Sequence, residues 1–245
     1  MRTPAPRELL DAWDLGATLP LVERVSPLLR LATGLSGDAL AGLGIGERDR
    51  LLIALRERLF GATLRAVVDC PACGVPLEVV VATPVLLATE PASEVVDVDT
   101  DGFRLRCGVP RARDVADAAA AAVAGDAGLA RTLLVGRAVL SAERDGAEVL
   151  VADLPDHVVA AAADALADAD PLVDVELPLS CEACGVRWNH PFDIGSHLWQ
   201  ELDAWSTRMV SEVHSLATAY GWSEGDILGL TPIRRRRYLD LVGHG

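Results

Sequence analysis

The chain has 245 residues, 51% of them hydrophobic but only 4% aromatic, and a formal net charge of −14 at pH 7. This length can bury one large or two small cores. The acidic balance disfavours nucleic acid as a partner, and the lack of any run of about 18 apolar residues argues against membrane insertion.

The opening, "MRTPAPRELLDAWDL", has charges and prolines where a signal peptide needs an apolar stretch, so a cytoplasmic protein is expected. Residues 1–61 read as a helical segment. "PRELLDAW" and "LPLVERVSPLLRLAT" repeat apolar residues every three or four positions. In "GIGERDRLLIALRERLFG", Leu51, Leu52, Leu55 and Leu59 line one side, Arg48, Arg50, Arg56 and Glu57 lie largely elsewhere, and Gly61 ends the helix.

From Ala62 the period changes. Residues 62–110 form the first half of a β region, in which "TLRAVVDC" and "VPLEVVVA" are strands joined by a Cys-x-x-Cys-Gly turn. "SEVVDVDTDGFRLRCGVP" reads as a hairpin turning at Asp101-Gly102. Residues 111–171 are rich in Ala and Asp and suit two or three inserted helices, with Pro155 near the start of the last and Asp170-Pro171 at its end.

Residues 172–194, "VDVELPLSCEACGVRWNHPFDI" with its flank, repeat strand, Cys-x-x-Cys-Gly and strand. Residues 195–245 return to helix. Leu198, Leu202, Trp205, Met209, Val213, Leu216 and Tyr220 make one apolar stripe that Gly221 can end. Ser223 to Asp226 resembles a capping box, and Thr231-Pro232 opens a last helix. The expected class is α+β, a discontinuous four-cysteine, zinc-ribbon-like β core with mainly helical N-terminal, inserted and C-terminal segments.

Five cysteines, an odd number, argue against a disulfide framework. Cys70, Cys73, Cys181 and Cys184 form two knuckles that together supply the four sulfurs of a closed tetrahedral zinc site. The 107 residues between Cys73 and Cys181 exceed the spacing of a linear ribbon, but the matched strand contexts restore the pattern. The competing readings are a redox dithiol or iron–sulfur site, disfavoured because strands rather than a helix start flank the turns, and two thiol turns without metal. Cys107 lies in a strand-like segment as a small buried residue. His190 stands six residues after Cys184, too far to belong to that knuckle.

No nucleophile elbow, phosphate-binding glycine loop or His-Glu-x-x-His occurs, the five histidines are scattered, and a non-enzymatic protein is expected. Trp222 and Arg234, Arg235, Arg236 and Arg237 are candidate partner-binding residues. The indole either anchors a partner or plugs a helix junction; four consecutive arginines span a full helical turn, so some must point outward, where they either meet an acidic partner surface or cap the helix and pair with the chain's own carboxylates.

Taken together, "GERDRLLIALRERLFG", "DCPACGVPLE", "LSCEACGVRWNHPFDIGSHLWQELDAW" and "EVHSLATAYGWSEGDILGLTPIRRRRYLDLV" resemble the T-even-type phage baseplate hub assembly chaperone family, over most of the chain and least at about 111–165. "LATAYGWSEGDILGL" also resembles helical motifs of small phage tail assembly proteins. The resemblance implies a non-enzymatic role in assembling or forming the baseplate hub of a contractile phage tail or related injection system. Other hub or tail proteins are then the partners, no small-molecule substrate is expected, and the location is the cytoplasm or a phage-like particle. It supplies no catalytic residues. Two other classes stay open: a zinc-ribbon regulatory module contacting nucleic acid or a transcription protein, and a thiol oxidoreductase.

Overall fold

The computed structural model describes residues 1–88, 93–123 and 127–243. The N-terminal part carries α1 (Pro6–Ala17), α2 (Ser26–Thr33), α3 (Gly37–Ala41) and α4 (Ile45–Phe60). Next come β1 (Thr63–Asp69), β2 (Pro76–Ala82), α5 (Thr83–Leu87), β3 (Val95–Thr100) and β4 (Phe103–Gly108). The middle holds α6 (Ala112–Val123), α7 (Ala127–Ala138), β5 (Val139–Arg144), β6 (Ala147–Glu148) and α8 (Asp156–Ala169). The last part holds β7 (Glu176–Ser180), β8 (Arg187–Pro191), α9 (Ile194–Tyr220), α10 (Glu224–Leu228) and α11 (Pro232–Val242). The chain is α+β, and it divides into two compact units, residues 1–34 with 195–245, and residues 35–194.

This division regroups the N-terminal helical segment: residues 35–61 belong with the β regions. The physical reason is backbone pairing at the start of α4. Ile45 N–H donates to Pro110 O at 3.0 Å, and Ala112 N–H donates to Leu43 O at 2.9 Å. Two of the orphan donors of helix starts are thereby satisfied from across the sequence.

In the first unit the apolar stripe of α9 is the core wall. Leu198, Leu202, Met209 and Leu216 are buried, while Trp205 and Val213 are half-buried and Tyr220 is exposed at the end. Leu10 of α1 and Leu228 of α10 pack on Met209. Trp13 also donates through Nε1 to Asp203 at 2.8 Å. Gly16 is needed where α1 meets Trp199, because a Cβ there would overlap the indole. Gly221 ends α9, Ser223 and Asp226 form the expected capping box, and the Thr231 hydroxyl accepts from Arg234 N–H to start α11.

In the second unit the main sheet has the antiparallel order β3-β4-β5-β6. The hairpin at Asp101-Gly102 forms as expected. The inserted segment differs from its all-helical expectation: Val139–Arg144 is a strand paired to β4, with Leu105 opposite Ala142. Its apolar residues are compatible with a helix, but β4 would otherwise present an unpaired edge, and β5 satisfies those backbone groups. Asp145-Gly146 makes the tight turn into β6, both residues at positive φ. Val158, Ala162 and Leu166 of α8 and Val135 of α7 pack with Leu105, Phe103 and Cys107. Cys107 is fully buried in this core, and burial with the nearby Asp97 pushes its thiol up.

Helix α4 ends at Gly61 as expected and buries Leu52, Ile53 and Leu55. Arg56 departs from the expected polar side. It is 2% exposed, and its Nη1 donates to Gly61 O at 2.6 Å, which satisfies a carbonyl at the helix end. At the other end, the buried Asp170 carboxylate lies against the Gly46 α carbon so closely that a Cβ would overlap it. The positive end of the helix favours an anion at this place.

Candidate metal centre

Each knuckle is built by one short antiparallel hairpin. In the first, β1 and β2 pair from Thr63–Ala82 to Asp69–Pro76, and Cys70 N–H donates to Val75 O at 3.0 Å. Gly74 N–H then donates to Cys70 O at 2.9 Å. In the second, β7 and β8 pair up to Ser180–Arg187, Cys181 N–H donates to Val186 O at 2.9 Å, and Gly185 N–H to Cys181 O at 2.8 Å. The two turns are the same structure made twice. Gly74 and Gly185 sit at φ 71° and 76°, the left-handed region that residues with a Cβ enter at a cost.

These turns bring all four expected cysteines together. Cys70 Sγ lies 3.6 Å from Cys184 Sγ, and Cys73 Sγ lies 3.6 Å from Cys181 Sγ. All four sulfurs lie within 4.8 Å of one another. A tetrahedron with metal–sulfur bonds of about 2.3 Å has edges of about 3.8 Å, so the spacing fits one ion at the centre. It is far beyond the sulfur–sulfur bond of about 2 Å, and all four are free thiols. Each knuckle gives one buried sulfur, Cys70 and Cys181, and one exposed, Cys73 and Cys184. The four cysteines could hold a metal ion, and four sulfur donors are the number that a closed tetrahedral shell needs.

The electrostatics are those of sulfurs competing for charge. Burial pushes the Cys70 thiol up, but the N–H groups of Ala72 and Cys73 and the thiols of Cys73 and Cys184 outweigh it and bring it down to about 7. Val75 N–H lowers Cys73, yet the neighbouring sulfurs and burial prevail and push it up to about 12. Cys184 is raised as well: Val186 N–H lowers it, but burial and the Cys181 and Cys70 sulfurs prevail. Cys70 ionises readily, and Cys73 and Cys184 then resist. A divalent cation removes that resistance, since thiolates are the form that binds metal.

Among the described residues no other group of three or more His, Cys, Asp and Glu side chains is placed to share an ion, and His190 stays outside the cluster. The candidate partner residues lie in the other unit and separate from one another in role. Trp222 is half-buried, stacked on Tyr220 at 4.7 Å and edge-on to Tyr238 at 4.8 Å. Arg235 is 6% exposed, and its Nε donates to Glu212 Oε2 at 2.6 Å. Arg236 pairs with Asp240 at 3.3 Å, and Arg234 and Arg237 point to solvent.

Sequence reasoning did not find a groove of about 740 Å³ in the second unit, lined in part by Gly42, Gly44, Arg50, Arg111, Arg137 and Asp170. The alternating glycines at 42, 44 and 46 were its signal. Its charges are largely satisfied internally: Arg111 Nη1 donates to Gly42 O at 2.6 Å, and Arg137 pairs with Asp117 at 2.8 Å. No family model, curated protein or solved structure matches the chain. No helix among the described residues is long and apolar enough to cross a membrane.

Proposed function

We propose that the chain is a non-enzymatic assembly factor or structural component of the baseplate hub of a contractile phage tail or phage-like injection system, clamped by a structural zinc ion. The observation that carries this reading is the four-sulfur cluster. Its four cysteines come from two Cys-x-x-Cys pairs separated by 107 residues, and an ion held by all four would have no open position for a substrate. Such a site fixes a scaffold, and the activity of a scaffold lies in the surfaces it holds. Zinc suits four thiolates in a closed tetrahedron and brings no redox chemistry of its own. The resemblance of the knuckle, α4 and C-terminal sequences to baseplate hub chaperones gives the scaffold its setting.

Deleting the gene and isolating contractile particles tests the role: loss of baseplates or of complete particles is expected, and normal particles would refute it. Metal analysis of the purified protein tests the clamp. One zinc per chain is expected, and a reversible disulfide without bound metal would favour thiol redox chemistry instead.

A further inference from the structure

The outward side of α11 combines exposed aliphatic side chains with exposed guanidiniums. Ile233 and Leu241 are 77% and 64% exposed, and Arg237 stands between them at the same four-residue spacing. At 3.6 residues per turn these three form one stripe about 12 Å long. Arg234 and Arg236 are exposed on its flanks. Among the described residues neither Arg234 nor Arg237 has an ion-pair partner, and Arg236 meets Asp240 alone.

The opposite side of α11 is fastened. Arg235 pairs with Glu212 of α9, and Tyr238 closes the ring cluster with Tyr220 and Trp222. Trp222 therefore plugs the junction, and the helix it secures presents a fixed face. A stripe of two aliphatic side chains among three guanidiniums, on a chain of net charge −14, is a local reversal of charge. We propose that this face docks an acidic segment of a protein partner, one that carries apolar side chains among its carboxylates. The proposal rests on the assembly reading, which requires a protein partner.

Charge complementarity selects this occupant. Carboxylates pair with the arginines while apolar groups cover Ile233 and Leu241, so both halves of the face are used. A nucleic acid backbone would use the arginines alone and meet the acidic remainder of the chain. A second copy brings another 14 negative charges against the first.

The probe is a fluorescent synthetic helical peptide with leucine and glutamate at four-residue spacings. A second peptide has glutamine for each glutamate, and an oligonucleotide duplex is included. Arg234→Ser/Arg237→Ser and Ile233→Ser/Leu241→Ser alter only exposed side chains, and unchanged melting curves verify their folds. Anisotropy should show binding of the glutamate peptide, and each double variant or the glutamine peptide should weaken it about tenfold. Equal binding by wild type and variants overturns the proposal, as does tighter binding of the duplex. A wild-type dimer in sedimentation that the variants dissociate also overturns it, in favour of self-association.

Complementation of a deletion strain separates the two readings. If the deletion abolishes particles and the double variants restore them fully, the docking face is wrong and the assembly role stands. If particles form without the gene while the glutamate peptide still binds and the variants weaken that binding, the assembly role is wrong and the face stands.

Discussion

Cys73→Ser isolates the metal clamp from packing. The Cys73 thiol is exposed, so its loss removes no core contact and in a metal-free protein would cost close to nothing. In the metal-bound protein it removes one of four ligands. The magnitude follows from what else joins the hairpins. β1–β2 and β7–β8 are separate two-stranded sheets, and the inward side chains of Val68, Leu77, Leu179 and Trp188 are only half-buried. A metal present at 100 to 1,000 times its dissociation constant stabilises the folded state by about 2.7 to 4.1 kcal/mol. Closing an otherwise free loop of about 100 residues sets a ceiling of about 4.7 kcal/mol. A loss of about 3–4 kcal/mol is therefore expected, a fall in Tm of roughly 6–16 °C for a unit of this size. The assay is thermal unfolding of wild type and Cys73→Ser, each with zinc and with chelator, alongside metal analysis. Chelator should lower the wild type to the level of the variant, and added zinc should restore only the wild type. Equal melting of both proteins, unmoved by chelator, with metal well below one per chain, would refute the clamp.

Three further outcomes follow from buried charges. Gly46→Ala should destabilise by about 2–4 kcal/mol, although glycine to alanine inside a helix ordinarily gains up to about 1 kcal/mol. The new Cβ displaces the Asp170 carboxylate from the start of α4, and a denaturant titration showing a gain would disprove that contact. Asp49 is buried, and burial outweighs the adjacent Arg48 and raises its carboxyl to about 6. The folded state then holds a proton that the unfolded state releases near pH 4. This contribution is full below about pH 4 and is lost as pH rises to about 6, a change of about 3 kcal/mol. Asp49→Asn should flatten that slope, and parallel stability–pH curves for the two proteins would contradict the assignment. Arg235→Met should cost about 2–3 kcal/mol, because it leaves Glu212 without its partner in a position only one-third exposed. Urea unfolding measures it, and a neutral result would mean that the pair does not hold α11.

The sequence by itself determined what depends on neighbours along the chain. Cys-x-x-Cys-Gly sets a turn whose glycine must take positive φ, and its repetition between strands announced the four-sulfur cluster across 107 residues. The stripe of α9, the Ser223 and Thr231 caps and the turn at Asp101-Gly102 were legible for the same reason, since periodicity and short-range hydrogen bonds fix them. Tertiary structure alone decided which long-range partner was free to compete. Val139–Arg144 became a strand because β4 had an open edge, a fact located some 35 residues away in sequence. Arg56 and Arg235 turned inward because Gly61 O and Glu212 accept their hydrogen bonds there, although arginine is ordinarily a surface residue. Asp170 caps the C-terminus of α8, as its place before Pro171 suggests, and it also lies against the start of α4, where the approach of the two segments creates the need for a glycine at position 46. Local periodicity ranks a residue by its own helix or strand. Burial of charge is set by the element that arrives opposite it.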